Sequence, residues 1–370
     1  GPRPQNCQFP MPFPYPRFQI ARAYNRVTAT GFKLLTGQRQ MSDLANDLLI
    51  DLAIDRYDRH LPFFDGTLNL PEYPKIRILQ VGQTTTLRDG TDRHERMLQD
   101  GAYDAAETSL ASYIAAKAQG LPFTAIPVFP RRLFSQGQIF VNADSGIESP
   151  RDLEGRKVAL QSFQTTLAVL AKGDLATEYG VDLQSIFWRV KQPDTVKIAG
   201  SSQYDITPLP DDADLTDLLC SGAVDALFYS RTPSPPPARA RKIRRLFNDP
   251  GQEEAKFVER NGYWPIMHLV ALKESSVDKY PELPGTLMKM FNAADALSAD
   301  FMADPNWSRM PWAKYTIEAE ADAFSRNLWT SGLQANRANL ERFIGYAADQ
   351  GFIGTAMDPE DLFHPSVRDS

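Results

Sequence analysis

Short apolar segments alternate with helix-like segments through the middle of this chain. Strand patterns are predicted at 48–54, 76–81, 123–128, 139–142, 157–160, 186–190 and 226–229. Helical patterns fall between them, at 110–117, 165–179 and 215–221. Strands separated by helices are typical of βαβ units, because a parallel partner strand needs a crossover connection. The sequence therefore predicts an α/β protein built on mostly parallel sheets.

The two ends of the chain differ from this middle. Six prolines among the first 16 residues disfavour both helix and central strand, so residues 1–47 are predicted to form a proline-rich arm. From about residue 253 onward helical patterns dominate, at 287–302, 318–329 and 335–350.

Length, charge and cysteine content exclude several classes of protein. The chain has 370 residues, which suggests two folding units, and its 40 Lys and Arg against 46 Asp and Glu give a net charge of −6. No apolar stretch approaches the roughly 18 residues of a membrane span, and nucleic acid is disfavoured because its binding needs a basic face. Two distant cysteines and four scattered histidines predict no metal site. No charged-then-apolar signal segment is seen, which favours a cytoplasmic location.

The junction after the predicted strand at 157–160 is a candidate anion site. Backbone N–H groups and the positive end of a helix dipole meet there, with Gln164, Thr165 and Thr166 alongside. Simple helix capping by Ser162 or Thr165 is the alternative. No glycine-rich phosphate loop accompanies the junction, so a small carboxylate is favoured over a nucleotide.

Two ionisable side chains are candidates for proton chemistry. Glu107 is predicted at a strand end or in the first turn of a helix, where its carboxylate would suit the dipole; helix stabilisation alone is the alternative. Ser109 lacks a Gly-x-Ser-x-Gly elbow, which disfavours a serine hydrolase. His268 precedes an apolar run and could move a proton near neutral pH, or be a core histidine with satisfied hydrogen bonds; the same two interpretations apply to His60.

Aromatic and cationic side chains provide candidate substrate contacts. Arg326 and Trp329 offer a guanidinium beside an aromatic ring, which suits an aromatic acid, whereas surface ion pairs and core packing are the alternatives. Trp264, among the large apolar groups ahead of His268, is a third candidate.

Several segments, taken in order from about residue 50 to 365, resemble one family. They include 57–59, 103–110, 126–132, 150–155, 163–166, 178–181 and 265–268. On these motifs the chain resembles the 4,5-dihydroxyphthalate decarboxylases, relatives of the type 2 periplasmic solute-binding proteins. One departure is visible: this chain has Ser135 and Gln136 where family members carry an Arg-His pair.

The resemblance implies a two-lobed, type 2 periplasmic-binding-protein-like α/β fold with mixed sheets and a ligand cleft between the lobes. Residues 48–140 and 255–370 would form lobe 1, and residues 141–254 would form lobe 2. The implied activity is non-oxidative loss of one carboxylate from a dihydroxylated phthalate, giving CO2 and protocatechuate. The residues that match the family's cleft motifs are Arg59, Glu107, Ser109, Arg132, Gln164, Thr165 and His268.

These matches define a hypothesis for the mechanism. His268 would donate a proton to the ring carbon, and Glu107 would act as base toward a phenol. Arg59 and Arg132 would clamp carboxylates, while the amides around Thr165 and Thr166 would hold the second anion. A hydroxyl para to the leaving group can push electron density into the ring, so no cofactor is predicted.

The expected partner is therefore a small aromatic carboxylate, with neither nucleic acid nor membrane; a homo-oligomer is left open. A non-catalytic solute-binding protein for a small carboxylate is an alternative, because one fold serves both functions. Another lyase or isomerase of a secondary-metabolite pathway is a third, since the Ser135-Gln136 departure and the arm before residue 48 lie outside the family pattern.

Overall fold

Two mixed β-sheets organise the part of the protein that the structure describes. The computed structural model describes residues 49–71, 75–82, 93–198, 203–304, 306, 308–323 and 327–370. Residues 47–370 cluster as one unit by their contacts. The predicted arm at 1–47 and the candidate Arg326 lie outside the described residues.

The first sheet has five strands in the order β2-β1-β3-β11-β4. Strands β1, β2 and β3 are parallel, whereas β11 runs antiparallel to both of its neighbours, β3 and β4. The strands are β1 (Leu49–Ile54), β2 (Lys75–Gln80), β3 (Ala105–Ser109), β4 (Phe123–Arg132) and β11 (Ile266–Lys273).

The second sheet has six strands in the order β10-β5-β9-β6-β7-β8. Strands β9, β6, β7 and β8 are parallel, and β5 is antiparallel to both β10 and β9. The strands are β5 (Ile139–Asn142), β6 (Lys157–Leu160), β7 (Phe187–Val190), β8 (Asp205–Pro208), β9 (Ala226–Phe228) and β10 (Ile243–Arg245).

Helices connect and cover these strands. They are α1 (Pro62–Asp65), α2 (Arg93–Leu98), α3 (Leu110–Ala118), α4 (Thr166–Tyr179), α5 (Leu215–Ser221), α6 (Pro250–Asn261), α7 (Glu274–Lys279), α8 (Leu283–Ala303), α9 (Ala313–Ala323) and α10 (Leu333–Asp349). Within the described ranges, no helix is both long enough and apolar enough to cross a membrane.

The predicted α/β class is confirmed, and most predicted elements fall within a residue or two of the observed ones. The C-terminal part differs, because the buried strand β11 interrupts the helices expected after residue 253. The helix predicted at 318–329 is observed instead as α9, Ala313–Ala323. The first sheet draws its strands from 49–132 and 266–273, and the second from 139–245. The two-lobe boundaries stay a prediction.

Strand β4 is irregular where it runs beside β11. The register steps from Val270 opposite Ile126 to His268 opposite Arg131, so four residues of β4, from 127 to 130, bulge out of the ladder. Pro127 and Pro130 have no N–H to give to the ladder, and proline within a sheet is confined to edge strands such as β4 and to bulges. The bulge thus sets which side chain lies next to His268.

Candidate active site

The candidate catalytic side chains meet at one edge of the first sheet. Because β1, β3 and β4 are parallel to one another and β11 is antiparallel, three carboxyl ends and the start of β11 lie together. In open α/β sheets, ligands bind outside the carboxyl ends of the strands. Glu107, Ser109 and His268 all lie on this edge, where His268 pairs directly with Ser109.

Glu107 is fully buried in β3, and each of its carboxylate oxygens has two partners. Oε1 accepts hydrogen bonds from the Tyr57 hydroxyl at 3.0 Å and from Nδ1 of His268 at 2.5 Å. Oε2 accepts one from the backbone N–H of Asp55 at 3.2 Å and pairs with Nη2 of Arg93 at 3.1 Å. These partners occupy the roughly four acceptor positions of a carboxylate, so Glu107 is fixed in place.

The buried pair has a defined ionisation state. Burial alone would raise the pKa of Glu107, but the guanidinium of Arg93 and the hydrogen bond from His268 hold that pKa well below its ordinary value. Burial lowers the pKa of His268 to about 4, against the opposing effect of the Glu107 carboxylate. Glu107 is therefore ionised and His268 neutral at pH 7. The Nδ1–H of His268 donates to Glu107, which leaves Nε2 as the unprotonated nitrogen.

The structure corrects the predicted position of Glu107. It lies in the middle of the buried strand β3, neither at a strand end nor in the first turn of a helix, and its oxygens face protein donors. We therefore assign it to the support of His268 rather than to a base that meets a phenol. Among the described residues the hydrogen bond given to the His268 ring is the one at Nδ1, so the core alternative accounts for one of its two nitrogens.

Sequence reasoning missed two residues of this network. Arg93 is buried against Glu107, and Nε of Arg93 also donates to the Glu107 carbonyl at 2.7 Å. Tyr57 stood in the motif that carried the family resemblance but was not chosen as a site residue. The ring of His94, one of the scattered histidines, lies 4.9 Å from that of His268, and Nδ1 of His94 accepts from the backbone N–H of Ser109 at 3.0 Å.

Ser109 and Thr166 connect the amino ends of two helices. Ser109 is the N-cap of α3, and its hydroxyl lies 2.9 Å from that of Thr166, the first residue of α4. The Thr166 hydroxyl also accepts from the backbone N–H of Ala111 at 3.2 Å. Helix α3 follows a strand of the first sheet, and α4 follows a strand of the second. This contact therefore joins the two sheets beside Glu107 and His268, the candidate pair.

The other residues of the predicted anion site are used by the protein itself. Thr165 caps α4, accepting from the N–H of Ala168 at 3.3 Å, as the capping alternative predicted. The side-chain amide of Gln164 is buried and bonded at both ends to the backbone of Val196, at 2.8 and 3.0 Å. Gln164 therefore shapes the loop, and its predicted role as a ligand contact is corrected.

Arg132 is likewise a structural residue. Its Nη1 donates to the carbonyl of Trp264 at 2.8 Å, and its Nη2 donates to the carbonyl of Thr330 at 2.8 Å and to Oδ1 of Asn336 at 2.7 Å. The side chain is buried, and burial lowers its pKa to about 9. Its terminal nitrogens tie β4 to the chain around α10, which corrects the prediction that it clamps a carboxylate.

A guanidinium and several aromatic rings lie together near the candidate pair: those of Arg59, Trp329 and Trp264. The guanidinium of Arg59 lies between the rings of Tyr57, at 4.1 Å, and Trp329, at 4.4 Å. Trp264 contacts Trp329 edge-to-face at 5.4 Å. Arg59, Trp329 and Asp295 line a small open pocket. Tyr57, which contacts both Arg59 and Glu107, links this pocket to the candidate pair.

Two further sequence features lie away from the pair. His60 is buried, its Nδ1 donates to the carbonyl of Asp55 at 2.8 Å, and burial lowers its pKa to about 4, which favours the core interpretation. Ser135 donates to Asp174 on α4 at 2.6 Å, and Gln136 is buried beside it in the chain. Among the residues that the structure describes, no three His, Cys, Asp or Glu side chains are grouped to hold a metal ion.

Sequence comparison finds similarity to two groups of proteins, periplasmic substrate-binding proteins and decarboxylases. Residues 80–209 match a family model described as the periplasmic substrate-binding protein of a phosphonate ABC transporter. A 4,5-dihydroxyphthalate decarboxylase of Comamonas testosteroni is 28% identical over 332 residues, covering 87% of this chain and 98% of that relative. One of Pseudomonas putida is 28% identical over 214 residues, covering 56% of this chain and 80% of that relative.

Solved structures establish the fold. The periplasmic aliphatic sulphonate-binding protein of Escherichia coli aligns with a TM-score of 0.50 at 16% identity, covering 86% of this chain and 98% of its own. The alkanesulfonate-binding protein of Xanthomonas axonopodis pv. citri aligns with 0.51 at 13% identity, covering 85% and 98%. The resemblance predicted from the sequence is thus confirmed: the chain is similar to two proteins named 4,5-dihydroxyphthalate decarboxylase, which are carboxy-lyases by name, and has a periplasmic-binding-protein fold.

Proposed function

We propose that this protein is a cofactor-independent, non-oxidative decarboxylase of a hydroxylated aromatic carboxylic acid such as 4,5-dihydroxyphthalate. The observation that carries the proposal is the buried pair of Glu107 and His268, with 2.5 Å between Oε1 and Nδ1. Binding a carboxylate without reacting with it requires only hydrogen-bond donors. A histidine oriented by an ionised carboxylate is typical of proton transfer.

Aryl decarboxylation requires a proton at the ring carbon that loses the carboxylate. His268 is neutral at pH 7 because burial lowers its pKa to about 4. A bound dianion would raise that pKa, since a nearby negative charge favours the imidazolium. Nε2 of His268 would then donate its proton to the ring carbon.

The remaining steps need no further group from the protein. The bond between the protonated carbon and the carboxylate breaks, its electron pair restores the aromatic ring, and CO2 leaves. The hydroxyl para to the leaving group supplies electron density during protonation. Glu107 stabilises the imidazolium and holds the ring of His268 in one orientation, as the carboxylate does in other carboxylate–histidine pairs.

The amino end of α4 is suited to orient the substrate. Thr165 caps this helix and Thr166 joins it to Ser109, so the first turn of α4 lies beside the pair. Partial positive charge at a helix amino terminus favours an anion there. A weak, uncharged contact of this kind can orient the leaving carboxylate without stabilising it as strongly as an ion pair would.

The first prediction tests turnover directly. We expect the purified protein to convert 4,5-dihydroxyphthalate to protocatechuate and CO2, and His268→Asn to lower kcat by about 10²- to 10⁴-fold, the usual contribution of a general acid. Product formation is measured by chromatography, and substrate binding to His268→Asn by calorimetry. His364→Asn is the matched control, because His364 caps a short turn at Pro365–Val367 and should leave kcat unchanged.

The solute-binding alternative predicts a different outcome. The fold likeness to two sulphonate-binding proteins favours it. Saturable binding of 4,5-dihydroxyphthalate, with the ligand recovered intact, would support a receptor and contradict the decarboxylase. Undiminished turnover by His268→Asn would remove this histidine from the mechanism. The cytoplasmic location predicted from the sequence stays a prediction.

A further inference from the structure

Two adjacent arginines at the end of β4 have different surroundings. Arg132 is buried, and its two terminal nitrogens are bonded to three oxygens of the protein. Arg131 is half-buried, and the hydrogen bond described for its side chain is a long one, 3.4 Å from Nη2 to the carbonyl of Ser230. A guanidinium has five N–H donors, so Arg131 keeps donors for a ligand.

The bulge in β4 brings Arg131 to the catalytic histidine. Arg131 is the residue that pairs with His268 across β4 and β11, with register shifts on both sides of this pair. Directly paired residues have Cβ atoms about 5 Å apart and project from the same side of the sheet. Bulges commonly re-aim a side chain next to an active site. Here the bulge places a cation beside the proposed proton donor.

The charge balance of the site requires a partner for an anionic substrate. Glu107 and Arg93 neutralise each other, and His268 is neutral at pH 7. The charge of Arg131 is close enough to act on both Tyr57 and His268. Arg131 is thus the cation of this edge that is not matched by a carboxylate in the described residues.

We propose that Arg131 binds the carboxylate that the substrate retains, the one still present in the product. This inference rests on the proposed function. An ion pair to the leaving carboxylate would stabilise the ground state, because that charge disappears as CO2 forms, and would slow the reaction. In an ortho-dicarboxylate the retained carboxylate is on the ring carbon next to the one that loses CO2. If His268 protonates the carbon that loses CO2, the retained carboxylate lies on the side where Arg131 pairs with His268.

The contact with Ser230 places Arg131 where the two sheets meet. Arg131 ends a strand of the first sheet, and Ser230 follows β9 of the second sheet. A carboxylate bound by Arg131 would therefore lie where the two sheets meet. The guanidinium of Arg131 can donate to the ligand and to the carbonyl of Ser230 at the same time.

The test compares two ligands that differ in one carboxylate. Protocatechuate keeps the retained carboxylate, and catechol has none. We expect Arg131→Gln to weaken protocatechuate binding by about 10- to 100-fold, the range for a charge-assisted hydrogen bond, and to leave catechol binding unchanged. Calorimetry measures both, and product inhibition by protocatechuate should weaken in parallel. Arg56→Gln, which removes an exposed arginine, is the control for net charge.

Each outcome separates this inference from the proposed function. If the wild type decarboxylates and Arg131→Gln binds protocatechuate as the wild type does, the inference is overturned and the decarboxylase stands. If Arg131→Gln raises KM for the dicarboxylate but not the Kd of protocatechuate, Arg131 binds the leaving group instead. If the wild type binds protocatechuate through Arg131 without any turnover, the decarboxylase fails and the carboxylate site stands. Binding of neither ligand by the wild type overturns both.

Discussion

Two buried carboxylates in this protein have opposite ionisation behaviour. Glu107 on β3 and Asp174 on α4 are each almost completely inaccessible to solvent. The pKa of Glu107 lies well below its ordinary value, whereas burial raises the pKa of Asp174 to about 6. Similar burial therefore does not fix the charge of a carboxylate; its partners do.

The partners of Asp174 are mostly neutral. Ser135 donates to Oδ2 at 2.6 Å and Tyr346 donates to Oδ1 at 3.1 Å. Its cation, Arg342, is 3.8 Å away and is shared with Glu178. Glu107 instead has the buried guanidinium of Arg93 at 3.1 Å. A buried cation in direct contact keeps a buried carboxylate ionised, whereas hydroxyl donors and a more distant cation do not offset its desolvation.

The largest expected effect comes from removing the cation of Glu107. Arg93→Gln should lower the free energy of unfolding by about 3–5 kcal/mol, because it leaves a buried charge without compensation. Urea unfolding at pH 7 measures this loss. Adding Glu107→Gln to Arg93→Gln should restore part of the stability, because the uncompensated charge is then gone.

An exposed pair provides the control for this prediction. Arg77 pairs with Asp51 at 2.7 Å, but 54% of the Arg77 side chain is exposed. Arg77→Gln should cost less than about 1 kcal/mol, as is usual for surface pairs. Equal losses for Arg93→Gln and Arg77→Gln would contradict the contrast drawn between the two buried carboxylates.

Asp174→Asn tests the other carboxylate through pH. The pKa of Asp174 rises from 3.8 to about 6 on folding, so its contribution is complete below pH 3.8 and is lost as pH rises through about 6. That gap corresponds to about 3 kcal/mol. Relative to Asp174→Asn, the wild type should therefore lose about 3 kcal/mol of unfolding free energy between pH 4 and pH 7.

The same titration has an internal check. The pKa of Glu107 is lowered on folding, so the stability it contributes is present above its ordinary value of 4.5 and is lost as pH falls. The slopes of the two carboxylates are opposite in sign. A difference between wild type and Asp174→Asn that does not vary over pH 4–7 would mean that Asp174 stays ionised throughout.

Ser135→Ala has the smallest expected effect. It removes the 2.6 Å donor to Asp174 and should cost about 1–2 kcal/mol at pH 8, where the carboxylate is ionised, and less at pH 5. Unfolding in urea at the two pH values measures the difference. Ser221→Ala, at an exposed hydroxyl, should change stability by less than about 0.5 kcal/mol. No dependence on pH would show that Ser135 is not a partner of the charged form.

The strands that sequence analysis predicted are those with apolar runs. Strand β3 is absent from the predicted strand patterns, and only the option of Glu107 at a strand end pointed to it, because three of its five residues, Glu107, Thr108 and Ser109, are polar although all are buried. Its polar groups are satisfied by residues far away in the chain, such as Arg93 and His268, and no local pattern records those contacts.

The same limit applies to the site. The structure pairs His268 directly with Ser109, and both residues match motifs of the family resemblance, which carries long-range information that periodicity lacks. The sequence does not show which of Arg131 and Arg132 lies beside His268. The bulge at 127–130 shifts the period-two alternation of β4, so the side of the sheet on which each side chain lies cannot be counted along the strand. Gln164 was misjudged because its partner, Val196, is 32 residues away.

The central position of β11 has a consequence for the order of folding. This strand lies between β3 and β4, yet it is made after the entire second sheet, which ends at Arg245. During synthesis the strands of the second sheet are all available while the first sheet still lacks the strand between β3 and β4, and folding during synthesis proceeds from the N-terminal side. The strand that completes the first sheet also delivers His268. A nascent chain shorter than about 273 residues can therefore hold a partly built scaffold, but it lacks the complete strand β11 that carries the histidine of the proposed mechanism.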